Sequence, residues 1–321
     1  LGGAAAAIPS FAMARSGGGC PFTGVAGTSE AQTAALTADD MGTFDVAPDR
    51  FTRIFREHPP FVEPSDELHE ALTEIGRPGG MLDAGDPLFV GAEELVTRPE
   101  LSPGNRVHPT QPAGATFMGQ FIDHDLTADA GSRLGNTDSV ARSMNLRTAR
   151  LDLDSVYGGG PEASPELYET GDPFRLRVES GGRFEDLPRD GEGRAIIGDD
   201  RNDENLIVSG LHAGFLMAHN AVLQRVRAEA GGDPMADAVL EEAVRTLRWH
   251  YQWIVVHEEL RQFAGDEMVD DVLAHGRRHY RPTQARIPVE FQTSAYRFGH
   301  SMLAPAYRAN LIGNDGRPFF A

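Results

Sequence analysis

The chain has 321 residues, 40% of them hydrophobic, enough to bury a large core in one large domain or two ordinary ones. All 29 basic residues are arginine, and 48 acidic residues leave a formal net charge of -19. That balance argues against nucleic acid or an anionic membrane surface as partner. The single cysteine, Cys20, excludes an internal disulfide and leaves the redox compartment unreadable, and no apolar run reads as a membrane span.

Residues 1–45 are rich in Gly, Ala, Ser and Thr without sustained periodicity and are expected to form a flexible N-terminal extension, with one domain over 46–321. The opening LGGAAAAIPSFAMA ends in small residues, as a cleaved export signal would, or is a plain Ala/Gly leader. From Phe51 to about Arg106, short helical patterns, such as DELHEALTEIG capped by Ser65, alternate with Pro-rich breaks. Helical periodicity strengthens over 114–128, 206–230 and about 233–263. The fold class expected is mainly α, with long loops that serve function or wrap something bound.

Four stretches carry candidate chemistry. In GQFIDHDL, residues 119–126, a helix sets successive side chains about 100° apart, so Gln120 and His124 share a face while Asp123 and Asp125 point to opposite sides of it. In LDLDSVYGGG, residues 151–160, Asp152 and Asp154 alternate with apolar residues as in an extended segment. They form either a hard-cation site with oxygen ligands, to which Thr148 adds another oxygen, or an acidic turn. In DDRNDEN, residues 199–205, Arg201 and Glu204 fall on one face of a helical turn, a spacing that also suits a surface ion pair. In YRFGHSMLAPAYR, residues 296–308, His300 sits among apolar and aromatic residues, either as a ligand in a dry pocket or as a packed core residue. His212, His219, His250 and His257 lie on apolar helical stripes and read as structural.

Taken together and in order, GQFIDHDL, TARLDLDSVYG, RNDEN followed by LHAGFLMAHN, and AYRFGH resemble the animal-type haem peroxidases of the peroxidase and cyclooxygenase superfamily, in a bacterial form without disulfides. The likeness runs from about residue 45 to the end. It implies a helical fold around haem b, with His124 as distal histidine, Gln120 beside it, Arg201 as distal arginine and His300 as proximal iron ligand. It also implies a calcium site from Asp125, Thr148, Asp152, Asp154 and the carbonyl of Arg150, and ester links from Asp123 and Glu204 to haem methyl groups. Under this resemblance Asp123 faces the haem edge, His124 the iron and Asp125 the calcium.

The activity implied is oxidation of small donors (halides, thiocyanate or phenolics) by hydrogen peroxide, and the setting expected is secreted or extracytoplasmic, with a cytoplasmic one as the alternative. A fatty-acid dioxygenase relative and an inactive calcium-stabilised adhesion module are the alternatives. There are departures from the family pattern. Asn205 stands where one branch has a haem-linked methionine, MAHN at 217–220 replaces Arg-Glu-His-Asn, and the chain is expected to be incomplete at its C-terminus, before the asparagine that orients the proximal histidine.

Overall fold

Ser65 accepts from the backbone N–H of Leu68 at 3.1 Å and so opens α1, Asp66–Gly76, as its position before an acidic first turn predicts. This helix belongs to the part of a computed structural model that describes residues 49–55, 62–83, 98–101, 111–129, 143–180, 184–281 and 285–303, with isolated positions between them. The N-terminal extension, its signal-like start and Cys20 lie outside the described residues.

The remaining α-helices among the described residues are α2 (Ala113–Leu126), α3 (Asp154–Tyr157), α4 (Gly160–Ala163), α5 (Leu206–Glu229), α6 (Asp237–Ile254), α7 (Leu260–Ala264), α8 (Asp266–His275) and α9 (Val289–Thr293). Strand content among the described residues is slight. β1 (Asp49–Arg50) pairs antiparallel with β2 (Met144–Asn145), and β3 (Tyr168–Glu169) with β4 (Asp172–Leu176). The mainly α class expected from periodicity is what forms.

The core is built where α2, α5 and α6 cross. Phe121 stacks on Phe215 at 4.7 Å between ring centroids, and Tyr251 meets both rings edge-on. Leu216, Leu223, Val244 and Leu247 complete the seam. The long periodic run expected over 233–263 is not one regular helix: a π-helical turn, Val255–Glu259, separates α6 from α7 and turns the buried Glu259 inward.

Helix α5 differs from the expectation that no segment could span a membrane, since by length and composition it is apolar enough to do so. Its buried face instead carries His212, His219 and Asn220, which spend their polar atoms inside the protein. His219 Nε2 donates to the carbonyl of Phe174 at 2.9 Å, and Asn220 takes both the N–H and the carbonyl of Leu176. A helix with that much internal hydrogen bonding is a core helix. At the MAHN departure, Met217 is exposed, so that change leaves the buried His219 and Asn220 undisturbed.

Candidate functional site

The C-terminal end of α2 would leave its last carbonyls unpaired, and one backbone N–H and two side chains take them up. Thr127 N–H donates to the carbonyl of Asp123, Asn145 Nδ2 to that of Leu126, and Arg201 Nη2 to those of His124 and Thr127 at 3.2 and 2.8 Å. With the helix end held, the 100° step between residues sends Asp123, His124 and Asp125 in three directions, all of them buried.

His124 faces a cavity of about 670 Å³ that is also lined by Gln120, Asp123, Arg201, Glu204 and His300, between apolar walls that include Phe117, Phe263 and Leu303. Its Nδ1 lies 2.8 Å from Asn202 Oδ1, which makes Nδ1 the donor, and Nε2 has no protein partner among the described residues. Burial first, and then the charge of Arg201, push the imidazole below its usual range, so it is neutral at neutral pH.

Arg201 does not pair with Glu204, contrary to the ion pair their spacing allows. Its Nε and Nη2 grip both oxygens of Asp199, at 2.9 and 2.7 Å. Asp203, not Glu204, ends the short 3₁₀ turn Asp200–Asp203, and Glu204 instead accepts from Gln120 Nε2 at 3.0 Å. Gln120 Oε1 accepts from Asn205 Nδ2, so α2 is tied to the start of α5 across the cavity wall. Asp123 accepts from Arg297 Nη1 at 2.7 Å and from Thr127 Oγ1 at 2.9 Å.

His300 lies in the 3₁₀ segment Ala295–Met302 and is exposed, which differs from the enclosed pocket expected for it. That segment sits at the cavity rim, covered on one side by ring contacts of Phe298 with Phe263 and Tyr296. His300 Nδ1 donates to the carbonyl of Arg297 at 3.1 Å, which leaves its Nε2 as the lone pair available to a metal. A haem fits these residues: apolar walls, two imidazoles whose Nδ1 atoms are engaged and whose Nε2 atoms are bare, and two carboxylates in the lining.

On the far side of α2 the acidic cluster forms, though not by the extended geometry expected. Leu153 adopts a left-handed backbone, φ 61°, and Asp154 begins α3, so the bend rather than alternation brings Asp152 and Asp154 together. Ligand oxygens of Asp125, Asp152 and Asp154 lie within 4.8 Å of one another. Thr148 Oγ1 donates to Asp152 Oδ2 and its N–H to Asp154 Oδ2, while Arg150 acts on Asp152 through its charge. Burial raises the carboxyls of all three aspartates above the ordinary range, with mutual repulsion adding for Asp125 and Asp154. Asp152 Oδ1 and Asp154 Oδ1 are buried without a hydrogen-bond partner. Such oxygens suit a hard divalent cation.

Arg147 connects the two sites. Its guanidinium contacts Asp154 at 3.7 Å and Asp199 at 2.7 Å, and Asp199 in turn holds Arg201. Burial pushes the Asp199 carboxyl up, but the hydrogen bonds and charges of Arg201 and Arg147 outweigh it and leave the group below the usual carboxylate range. Arg147, Asp199, Asn202 and Arg297 belong to the site although no spacing marked them. For Asp199, its place two residues before Arg201 was the available signal, as an Asx turn onto the Arg201 N–H.

The family model described as animal haem peroxidase matches residues 130–315, which takes in the acidic bend, Arg201 and His300. Human thyroid peroxidase is 26% identical over 208 residues, 57% of this chain and 22% of that protein. Peroxidase mlt-7 of Caenorhabditis elegans is 29% identical over 182 residues, 54% of this chain and 25% of that protein. Among solved structures, the fatty acid alpha-dioxygenase of Arabidopsis thaliana aligns with a TM-score of 0.45 and 19% identity over 65% of this chain and 41% of its own. The chain thus spans about a quarter or less of the length of these curated relatives. With more than half of its residues matched by the family model, the chain belongs to the animal haem peroxidase family.

Proposed function

We propose that this chain binds haem b between His124 and His300 and uses hydrogen peroxide to oxidise a small electron donor such as a halide, thiocyanate or a phenol. The observation that carries the reading is the convergence of His124, Gln120, Arg201 and His300 on one cavity. When bound, the haem supplies the redox-active iron and a porphyrin that can store oxidising equivalents.

His300 Nε2 would hold the iron, with Nδ1 engaged on the Arg297 carbonyl. His124 Nε2 would accept the proton of one peroxide oxygen and return it to the other as the O–O bond breaks, releasing water. The Arg201 guanidinium, fixed by Asp199, offsets negative charge as it develops on the departing oxygen. Two electrons and two protons from donor molecules complete the conversion of one peroxide to two waters. Asp123 and Glu204, both in the cavity lining, would form ester bonds to haem methyl groups, and Asp125, Thr148, Asp152, Asp154 and the Arg150 carbonyl would hold calcium behind α2.

The dioxygenase reading rests on Tyr296, a phenol in the cavity lining. Its hydroxyl donates to the Gly119 carbonyl at 2.8 Å, and burial raises it well above the usual range, so it is committed to holding α2. Peroxidase chemistry is therefore preferred. Steady-state oxidation of a generic donor by peroxide tests it: His124→Ala should slow the reaction with peroxide by at least about 10²-fold. Equal rates in the two proteins would remove His124 from the chemistry.

A further inference from the structure

His124 does not stand alone behind the cavity wall. Its Nδ1 meets Asn202 Oδ1 at 2.8 Å, and Asn202 Nδ2 meets Nδ1 of His212 at 3.0 Å. Asn202 and His212 are each fully buried. The three groups come from three elements, α2, the 3₁₀ turn Asp200–Asp203 and α5.

A primary amide donates only through its nitrogen and accepts only through its oxygen, so the row has a direction. With the amide oxygen on His124, the His124 proton must sit on Nδ1, and Nε2 is a bare base facing the cavity. The same orientation requires a lone pair on His212 Nδ1. Were the amide reversed, His124 would carry its proton on Nε2, where it could accept nothing from peroxide.

Burial holds His212 neutral, pushed down to about 4, and its Nε2 is buried without a hydrogen-bond partner. The ring of Phe121 packs edge-to-face against it, 6.2 Å between centroids.

We propose that Asn202 and His212 are positioning residues that hold His124 in the Nδ1-protonated tautomer, keeping Nε2 ready to take a proton. The proposal rests on the peroxidase reading for its consequence but not for its geometry. It assigns a role to His212, which its apolar stripe marks only as structural.

The test pairs a tautomer measurement with a rate. Ring ¹⁵N resonances of His124 are read in the haem-loaded protein in its ferrous carbon-monoxide form, which is diamagnetic, and the second-order rate with hydrogen peroxide is measured on the ferric form. In the wild type, His124 should show a protonated Nδ1 and a bare Nε2. Asn202→Leu, of similar size but without polar atoms, should give a mixture of tautomers and a rate at least about tenfold lower. Asn202→Asp, which keeps an acceptor facing Nδ1, should restore the single tautomer and bring the rate within a few-fold of wild type. His212→Phe should resemble Asn202→Leu.

A wild-type His124 protonated on Nε2 overturns the proposal whether or not any variant folds. So does an Asn202→Leu protein with wild-type tautomer and rate. Should the tautomer pattern appear as expected while no protein turns over peroxide, the positioning row stands and the peroxidase reading falls.

Discussion

Removing the cation from the acidic cluster should cost stability in a way that depends on pH. Without a divalent ion, burial and the neighbouring charge of Asp152 push Asp154 up to about 7, against 3.8 for the free side chain, even with Arg147 nearby. Each unit of difference corresponds to 1.36 kcal/mol, so the ion-free folded state gives up roughly 4 kcal/mol on ionising this one group. The sign follows from the raised value. In the ion-free protein this contribution is fully present below about pH 4 and is lost as pH climbs through about 7. A bound calcium ion reverses that loss, because it favours the ionised carboxylates. Calcium should therefore stabilise little at pH 4 and by up to about 4 kcal/mol at pH 7.5, which for a domain of this size moves the melting midpoint by about 10 °C. Scanning calorimetry with calcium or chelator at the two pH values measures it, with Asp152→Asn expected to abolish the calcium effect. Midpoints that ignore calcium at both pH values would refute the cation site and leave an acidic turn.

Other outcomes follow from the same geometry. Asp199→Asn leaves the guanidiniums of Arg147 and Arg201 without their shared counter-charge, so urea unfolding should show about 3 kcal/mol lost, and the reaction with peroxide should slow while haem content stays at wild-type level. Haem should become covalently attached through Asp123 and Glu204 on treatment with peroxide. Each ester bond forms with loss of one proton and two electrons, and peroxide is the oxidant. A carboxylate held beside the reacting methyl has a large effective concentration, whereas one placed elsewhere does not. Acid and organic extraction checks this: wild type and each single change to Ala should retain haem, the double change should release it, and complete extraction from wild type would remove the ester assignment.

The helices were legible because their signals are local. The apolar residues around GQFIDHDL fix a helix, and a helix alone separates Asp123, His124 and Asp125 into three directions. Asp152 and Asp154 were legible as a pair, but not the left-handed Leu153 that unites them, since a non-glycine residue with positive φ is held by its surroundings rather than by propensity. The partner of Arg201 could not be chosen from spacing, because Glu204 and Asp199 both lie within reach of a long side chain and burial decides between them. The row from His124 through Asn202 to His212 was not legible at all. It joins residues across a turn and between helices, where no periodicity links them, and a histidine on an apolar stripe looks the same whether its nitrogen is idle or holds a neighbouring amide. His300 was legible as a residue type in its setting, but its position at the exposed rim depends on what packs over that segment.

Titration of the haem-free protein with haemin, followed by the Soret absorption in wild type and in His300→Ala, addresses the central claim that the cavity between His124 and His300 holds a histidine-ligated haem. Wild type should develop a saturating Soret band with the spectrum of histidine-ligated ferric haem, and His300→Ala should bind more weakly or show an altered spin state that added imidazole returns toward wild type. A wild-type protein that gives no saturating band, or a His300→Ala protein with an unchanged spectrum and affinity, would contradict it.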